Sequence, residues 1–162
     1  MPLHLLRALS VLALLGTAAP ALSQAVGFGA ASDTEAPVEV SADSLQVNQS
    51  SGQATFTGNV VISQGEMRLS ADEVTVDYAE TGESRIRSLH ATGTVTLVSG
   101  PDAAEAQDAV YDVESGTVAL SGDVILTQGQ NVLSGERANI DLNTGQANMS
   151  GRVRSVLQPG GN

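Results

Sequence analysis

The chain has 162 residues, a formal charge of −11 from seven arginines and eighteen acids, and no lysine, cysteine or tryptophan. Without cysteine there is no disulfide framework, thiolate metal site or cysteine nucleophile, and so acidic a chain lacks the Lys/Arg neutralisation on which nucleic-acid binding rests, which excludes nucleic acid as a partner. Aromatic residues make up only 2%, so a core has to be built from Val, Leu, Ile and Ala.

Residues 1–25 read as a secretory signal peptide: Arg7 gives the positive start, Ala8 to Leu15 a short apolar run, and Ala21-Leu22-Ser23 and Ser23-Gln24-Ala25 two small-x-small cleavage sites. Cutting near Ala25, with Ser23 as the alternative, leaves an exported mature chain at −12, with six arginines and eighteen acids. The apolar run falls short of the roughly 20 residues a spanning helix needs. An exported chain without disulfides depends on real burial or on pairing with neighbours. Residues 26–36, VGFGAASDTEA, read as a flexible N-terminal segment.

From Pro37 the texture changes to alternation of apolar and polar residues, and the chain repeats itself. Four segments open alike, at Ala42-Asp43, Ala71-Asp72, Ala106-Gln107 and Gly135-Glu136, in steps of 29, 35 and 29. Each runs through a pair of apolar residues two apart to Asn48, Asp77, Asp112 or Asp141. A Ser/Thr-Gly pair follows (Gly52, Gly82, Gly116, Gly145), then a second glycine (Gly58, Gly93, Gly122, Gly151) with a valine two residues on.

The chemistry of each slot predicts hairpins. Residues two apart share a strand face, Asn or Asp opens a turn through its side-chain carbonyl, and glycine supplies the positive φ that closes it. The second glycine marks a bulge or bend. Gln64-Gly65 and Gln128-Gly129 recur at an offset of 64, and Ser99 to Glu105 reads as a surface loop. Helical spacing is missing from the mature chain, which makes the fold class all-β: a sandwich, a jelly roll or a solenoid of stacked hairpins. Val38-Glu39-Val40 at one end and Val153-Arg154-Ser155-Val156 at the other are strand-like edges with little charge to blunt them, the kind that pairs with another chain. Residues 158–162 read as a flexible tail.

Chemistry is sparse. His90, alone in the mature chain, reads as a polar residue on an outward strand face, with no nitrogen or sulfur ligands to join it in a metal site. The acids at the turns alternate with Asn48, and Asp43, Asp72 and Glu136 alternate with Gln107. Positions that accept an amide hydrogen-bond rather than transfer protons, so no catalytic residue, cofactor or metal is assigned and an enzyme is not expected. The apolar columns have two readings: an ordinary core, or two sheet faces standing apart that hold an apolar ligand. Arg85, Arg87, Arg152 and Arg154 read as solvated strand residues.

V-E-V-S-A-D-S-L-Q-V-N at 38–48, G-x-A-x-F-x-G-N-V at 52–60 and the later S-G-D-V and L-S-G-E-R steps resemble the OstA-like family, over residues 37–157. That resemblance implies an open, V-shaped, twisted antiparallel β-jellyroll that carries lipopolysaccharide from the inner to the outer membrane. It implies shielding of the lipid A chains in a groove lined by Val38, Val40, Leu45, Val47, Phe56, Val60, Ile62, Met67, Leu69, Val74, Val76, Val95, Leu97, Tyr111, Leu120, Val124, Leu126, Ile140 and Met149. It further implies head-to-tail homo-oligomers and partners of the LptC type at the inner membrane and the LptD type at the outer membrane. The alternative is a non-catalytic assembly module, an LptC-like adaptor or a surface fibre subunit.

Overall fold

The alternation becomes strand wherever the chain is described. The structure, a computed structural model, describes residues 26–29, 31–79 and 85–159. The signal peptide, the turn expected at Thr81-Gly82 and the last residues of the tail lie outside them. Eleven strands follow in order: β1 (Val26–Gly27), β2 (Glu39–Ser41), β3 (Ser44–Asn48), β4 (Gln53–Gln64), β5 (Met67–Tyr78), β6 (Ile86–Ser99), β7 (Asp102–Asp112), β8 (Thr117–Gln128), β9 (Asn131–Asp141), β10 (Gln146–Ser150) and β11 (Arg154–Val156). All pairings are antiparallel, and β4 to β10 form one meander of consecutive neighbours.

The turns close as their residue types dictate. The Asn48 Oδ1 accepts the N–H groups of Ser50 (3.1 Å) and Ser51 (3.4 Å). Asp112 Oδ1 accepts the Ser115 N–H at 2.8 Å, and Asp141 Oδ1 accepts those of Asn143 (2.9 Å) and Thr144 (3.2 Å). The Ser115 N–H holds the Asp112 carboxyl below the usual carboxylate range, so at neutral pH it is a charged acceptor. Gly52, Gly116 and Gly145 close these turns at φ of +65° to +67°. Asp77 differs: it accepts the Gln53 side-chain amide (2.7 Å) and the Ser88 hydroxyl (3.4 Å) from the two flanking strands.

The second set of glycines folds the sheet. The ladder slips between Thr57 and Val60, Thr92 and Val95, and Ser121 and Val124, opposite slips at Ser70/Glu73 and Glu105/Asp108 on the intervening strands. Every long strand is thereby split. Residues 53–57, 73–78, 86–92, 108–112, 117–121 and 137–141, with β3, β10 and β1, make the first half-sheet. Residues 60–64, 67–71, 95–99, 102–106, 124–128 and 131–135, with β2 and β11, make the second. The inward apolar residues of both belong to one buried cluster, so the half-sheets face each other across it, hinged at the bulges. The positions that opened the repeats thus sit at the hinge, Ala71-Asp72, Ala106-Gln107 and Gly135-Glu136 in the middle of strands and Ala42-Asp43 between β2 and β3.

At the hinge each glycine lies under an acidic or amide side chain of the neighbouring strand. A Cβ on Gly58 (φ +82°) would stand 2.6 Å from Asp43 Oδ2, and one on Gly151 2.5 Å from the Glu136 Cβ. The residues one step on hold the clamp. Asn59 Nδ2 donates to Asp43 Oδ2 (2.8 Å), the Thr94 N–H to Asp72 Oδ2 (3.0 Å), and Arg152 Nε pairs with Glu136 at 3.3 Å. In the third copy the polarity is reversed: Gln107 Nε2 donates to Asp123 Oδ2 at 2.9 Å. Asn59 and Asp123 also adopt positive φ (46° and 49°), which their short polar side chains tolerate better than most. The replacement Gly58→Ala is expected to cost about 1–3 kcal/mol through the strained φ and the displaced Asp43. A lowered urea midpoint at unchanged m-value would show it; an unchanged midpoint would remove the clamp from the account.

Ser99 to Glu105 is not a loop. Ser99 ends β6, Gly100 and Pro101 turn, and Asp102 already starts β7. Its Ala-rich start has poor strand propensity, but pairing to β6 on one side and β8 on the other overrides that preference.

Candidate lipid-binding trough

The register lays the apolar residues out in rows that cross the strands. In the first half-sheet one inward row runs Leu45, Phe56, Val74, Ala91, Ala109, Leu120, Ala138, Met149. The next runs Val47, Ala54, Val76, Leu89, Tyr111, Val118, Ile140, Ala147. In the second half-sheet Val40, Ile62, Leu69, Leu97, Ala104, Leu126 and Leu133 form the facing row. The rows run across the strands, so the space between the half-sheets is a trough perpendicular to the strand direction.

The nineteen residues expected in the groove all lie on these inward faces or beside them, with unequal exposure. Thirteen of them, Val60, Ile62, Met67, Leu69, Val74, Val76, Val95, Leu97, Tyr111, Leu120, Val124, Leu126 and Ile140, are at most 2% exposed. Val38, Val40, Phe56 and Met149 are partly buried against the cluster. Leu45 and Val47 point the same way as their row-mates but are 55% and 62% exposed. They sit on β3, an edge strand with no neighbour on its outer side among the described residues, so the trough is filled along its middle and bare at this end. Of the edge residues, Glu39 and Val40 lie on β2 and Arg154, Ser155 and Val156 on β11, each strand paired on one side only among the described residues; Val153 just before β11 is 49% exposed.

The residues expected in the groove leave out two groups. The small residues Ala91, Ala104, Ala109 and Ala138 stand in the rows between the larger ones, each at most 3% exposed; the period-2 pattern includes them, but alanine alone carries little apolar signal. Phe28 is also buried, at 1% exposure, though nothing periodic surrounds it. Polar groups are few and satisfied. Tyr111 donates its hydroxyl to Gln64 Oε1, and its pKa is raised by burial and by the Asp112 charge, partly offset by that hydrogen bond, so it stays a donor. His90 faces outward, 3.4 Å from Asp108. Among the described residues no three His, Cys, Asp or Glu side chains come together as a metal site.

The comparisons with known proteins agree on one family. The family model described as LptA/(LptD N-terminal domain) LPS transport protein matches residues 39–146. An uncharacterized protein of Rhizobium meliloti is 30% identical over 98% of this chain and 95% of its own length. The lipopolysaccharide export system protein LptA of Escherichia coli is 27% identical over 68% of this chain, an alignment that spans 62% of that protein. The crystal structure of LptH, the LptA-homologous periplasmic component of the lipopolysaccharide transport device of Pseudomonas aeruginosa, superposes with a TM-score of 0.69. It is 25% identical and covers 79% of this chain and 99% of its own.

Proposed function

This chain belongs to the family of LptA and LptD N-terminal lipopolysaccharide-transport proteins, and from that we propose that it carries lipopolysaccharide across the periplasm with the lipid A acyl chains shielded between the two half-sheets. The reading includes end-to-end joining of copies and docking to LptC-type and LptD-type partners at the two membranes. One observation supports it above the rest: the inward rows are apolar across seven or eight strands, and at the β3 end they run out into solvent at Leu45 and Val47. An ordinary core has no reason to leave its inward row uncapped, whereas a conduit needs an end through which its contents pass on.

The energetics suit a carrier. Burying a methylene is worth ~0.8 kcal/mol, so a 14-carbon chain represents roughly 10 kcal/mol at full burial. Apolar walls recover that without directional bonds, which lets a chain slide on. The recurring acids Asp43, Asp72, Asp112 and Asp141 are engaged in hinge clamps and turns, which supports a reading in which the protein binds and passes on its cargo without a chemical step. Photo-crosslinkers placed at Phe56, Val76 and Leu120 are expected to capture lipopolysaccharide, and one at outward Thr55 is expected not to. Capture from Thr55 alone would put the lipid outside the trough and end this reading.

A further inference from the structure

The alternation that points apolar side chains inward also points a polar row inward. Gln64, Met67, Ser99, Asp102 and Gln128 are consecutive cross-strand partners at the free lip of the second half-sheet, where the hairpins turn. Gln64, Ser99 and Asp102 are 3%, 1% and 8% exposed, yet no buried side-chain polar atom among the described residues lacks a partner. Gln64 Oε1 accepts from Tyr111 and Asp102 Oδ2 from Gln128 Nε2 (3.2 Å), and the other partners come from residues 27–29 and 31–36. Gln64 Nε2 donates to the carbonyls of Thr34 (2.7 Å) and Ala36 (2.9 Å), and Gln128 Nε2 to that of Gly27. Asp102 Oδ2 accepts the Gly29 N–H at 2.6 Å, and the Ser32 and Ser99 hydroxyls stand 3.1 Å apart. The glutamines of the two Gln-Gly turns, which repeat at an offset of 64, therefore both hold this segment.

The same segment reaches the lip of the first half-sheet. The Phe28 N–H donates to the Gly145 carbonyl (2.5 Å), the Ser32 N–H to that of Leu142 (2.9 Å), and Thr34 Oγ1 to Asn143 Oδ1 (2.8 Å). Residues 27–29 and 31–36 thus lie along the mouth between the two lips. The fit is close: a Cβ on Gly29 (φ +66°) would stand 2.6 Å from Ser99 Oγ, and one on Gly145 3.1 Å from the Gly29 carbonyl. Between the lips Phe28 drops into the buried cluster.

We propose that residues 27–29 and 31–36 are a displaceable strap over the lateral mouth of the trough, that Phe28 holds the place of a lipid chain, and that an entering acyl chain lifts the strap. This rests on the lipid-carrier reading above. A lipid whose chains hang from a large polar head cannot thread a trough head first; the head must stay outside while the chains slot in sideways, and the strap lies across that path. It is also held without a long ladder: β4 to β9 pair with one another over nine or ten positions, but β1 pairs with β10 over two. Once the strap is lifted, the Gln/Ser/Asp row faces water and the hydroxyl and amide groups of the head, which satisfy it as the strap backbone did.

The test uses the absence of native cysteine. In the double variant Ser32→Cys/Ser99→Cys, oxidation ties strap to lip, and loading is followed with fluorescently labelled lipopolysaccharide. The oxidised form is expected to load at least tenfold more slowly than wild type, with reductant restoring the rate, and Phe28→Ala is expected to load several-fold faster than wild type. Equal rates for the oxidised and reduced forms, in a protein whose wild type loads, would overturn the strap and leave the carrier intact. A pair that remains as free thiols under oxidant would overturn it too, because the strap would not be seated there. Wild type and reduced variant both failing to take up the probe would instead remove the carrier reading, and the strap with it.

Discussion

The variant Leu97→Ala is expected to lose about 2–5 kcal/mol of unfolding free energy, the usual cost of truncating a fully buried leucine. Leu97 is 0% exposed and stands mid-row in the second half-sheet, between Leu69 and Ala104. If the trough were only a core, lipopolysaccharide would leave that loss unchanged. If the same walls also line the lipid path, an acyl chain can occupy the space the leucine vacates, much as an engineered apolar cavity stays dry and accepts small apolar ligands. Binding to the native state alone then adds stability by mass action. The expected result is a thermal midpoint that drops without lipid and recovers disproportionately with it, compared with wild type. A midpoint depressed equally in both conditions would assign Leu97 to the core alone.

The layout of these inward rows explains what sequence could and could not reveal. Side chains two apart on Leu45/Val47, Val74/Val76 and Val124/Leu126 announce the inward rows because strand geometry leaves them no other common face. The hinge was legible too: a glycine followed two residues later by valine, four times over, is a bend that a flat strand would not repeat. Its partners were not, since Asp43, Asp72, Gln107 and Glu136 meet those glycines only through the register, and register is a property of pairing rather than of any one segment. Ser99 to Glu105 failed for a related reason. Alanine, aspartate and proline argue locally for a loop, and only two flanking strands make the segment extended. Gln64, Ser99 and Asp102 look like exposed turn residues in sequence; their inward direction follows from counting along strands whose ends the sequence does not mark sharply. Phe28, lying among glycines and alanines, gave no periodic signal at all.

The ends of the trough carry the last expectation. At one end β2 and β3 each have a free edge, with Leu45 and Val47 bare beside them; at the other, β11 has a free edge, and Val156 and Leu157 are 53% and 65% exposed. β10 is less available, because β1 already pairs with Gln146 and Ala147. Two unlike surfaces on one chain suit heterologous contacts, in which one copy's β11 end would meet the next copy's β3 end and the chain of copies would stay open. Unpaired backbone edges and apolar side chains both favour that contact. The exposed positions allow each end to be spoiled without disturbing the fold: Val156→Asp at one, Val47→Asp at the other. Either variant alone is expected to elute as a monomer in size-exclusion chromatography under conditions where wild type forms larger species. Mixed in equal amounts they should form dimers and nothing larger, since each retains the end the other has lost. Oligomers of unchanged size in the single variants would place the contact elsewhere. Monomers that fail to dimerise on mixing would mean that both spoiled positions belong to one self-complementary patch, and a conduit of copies joined end to end would then have no joint.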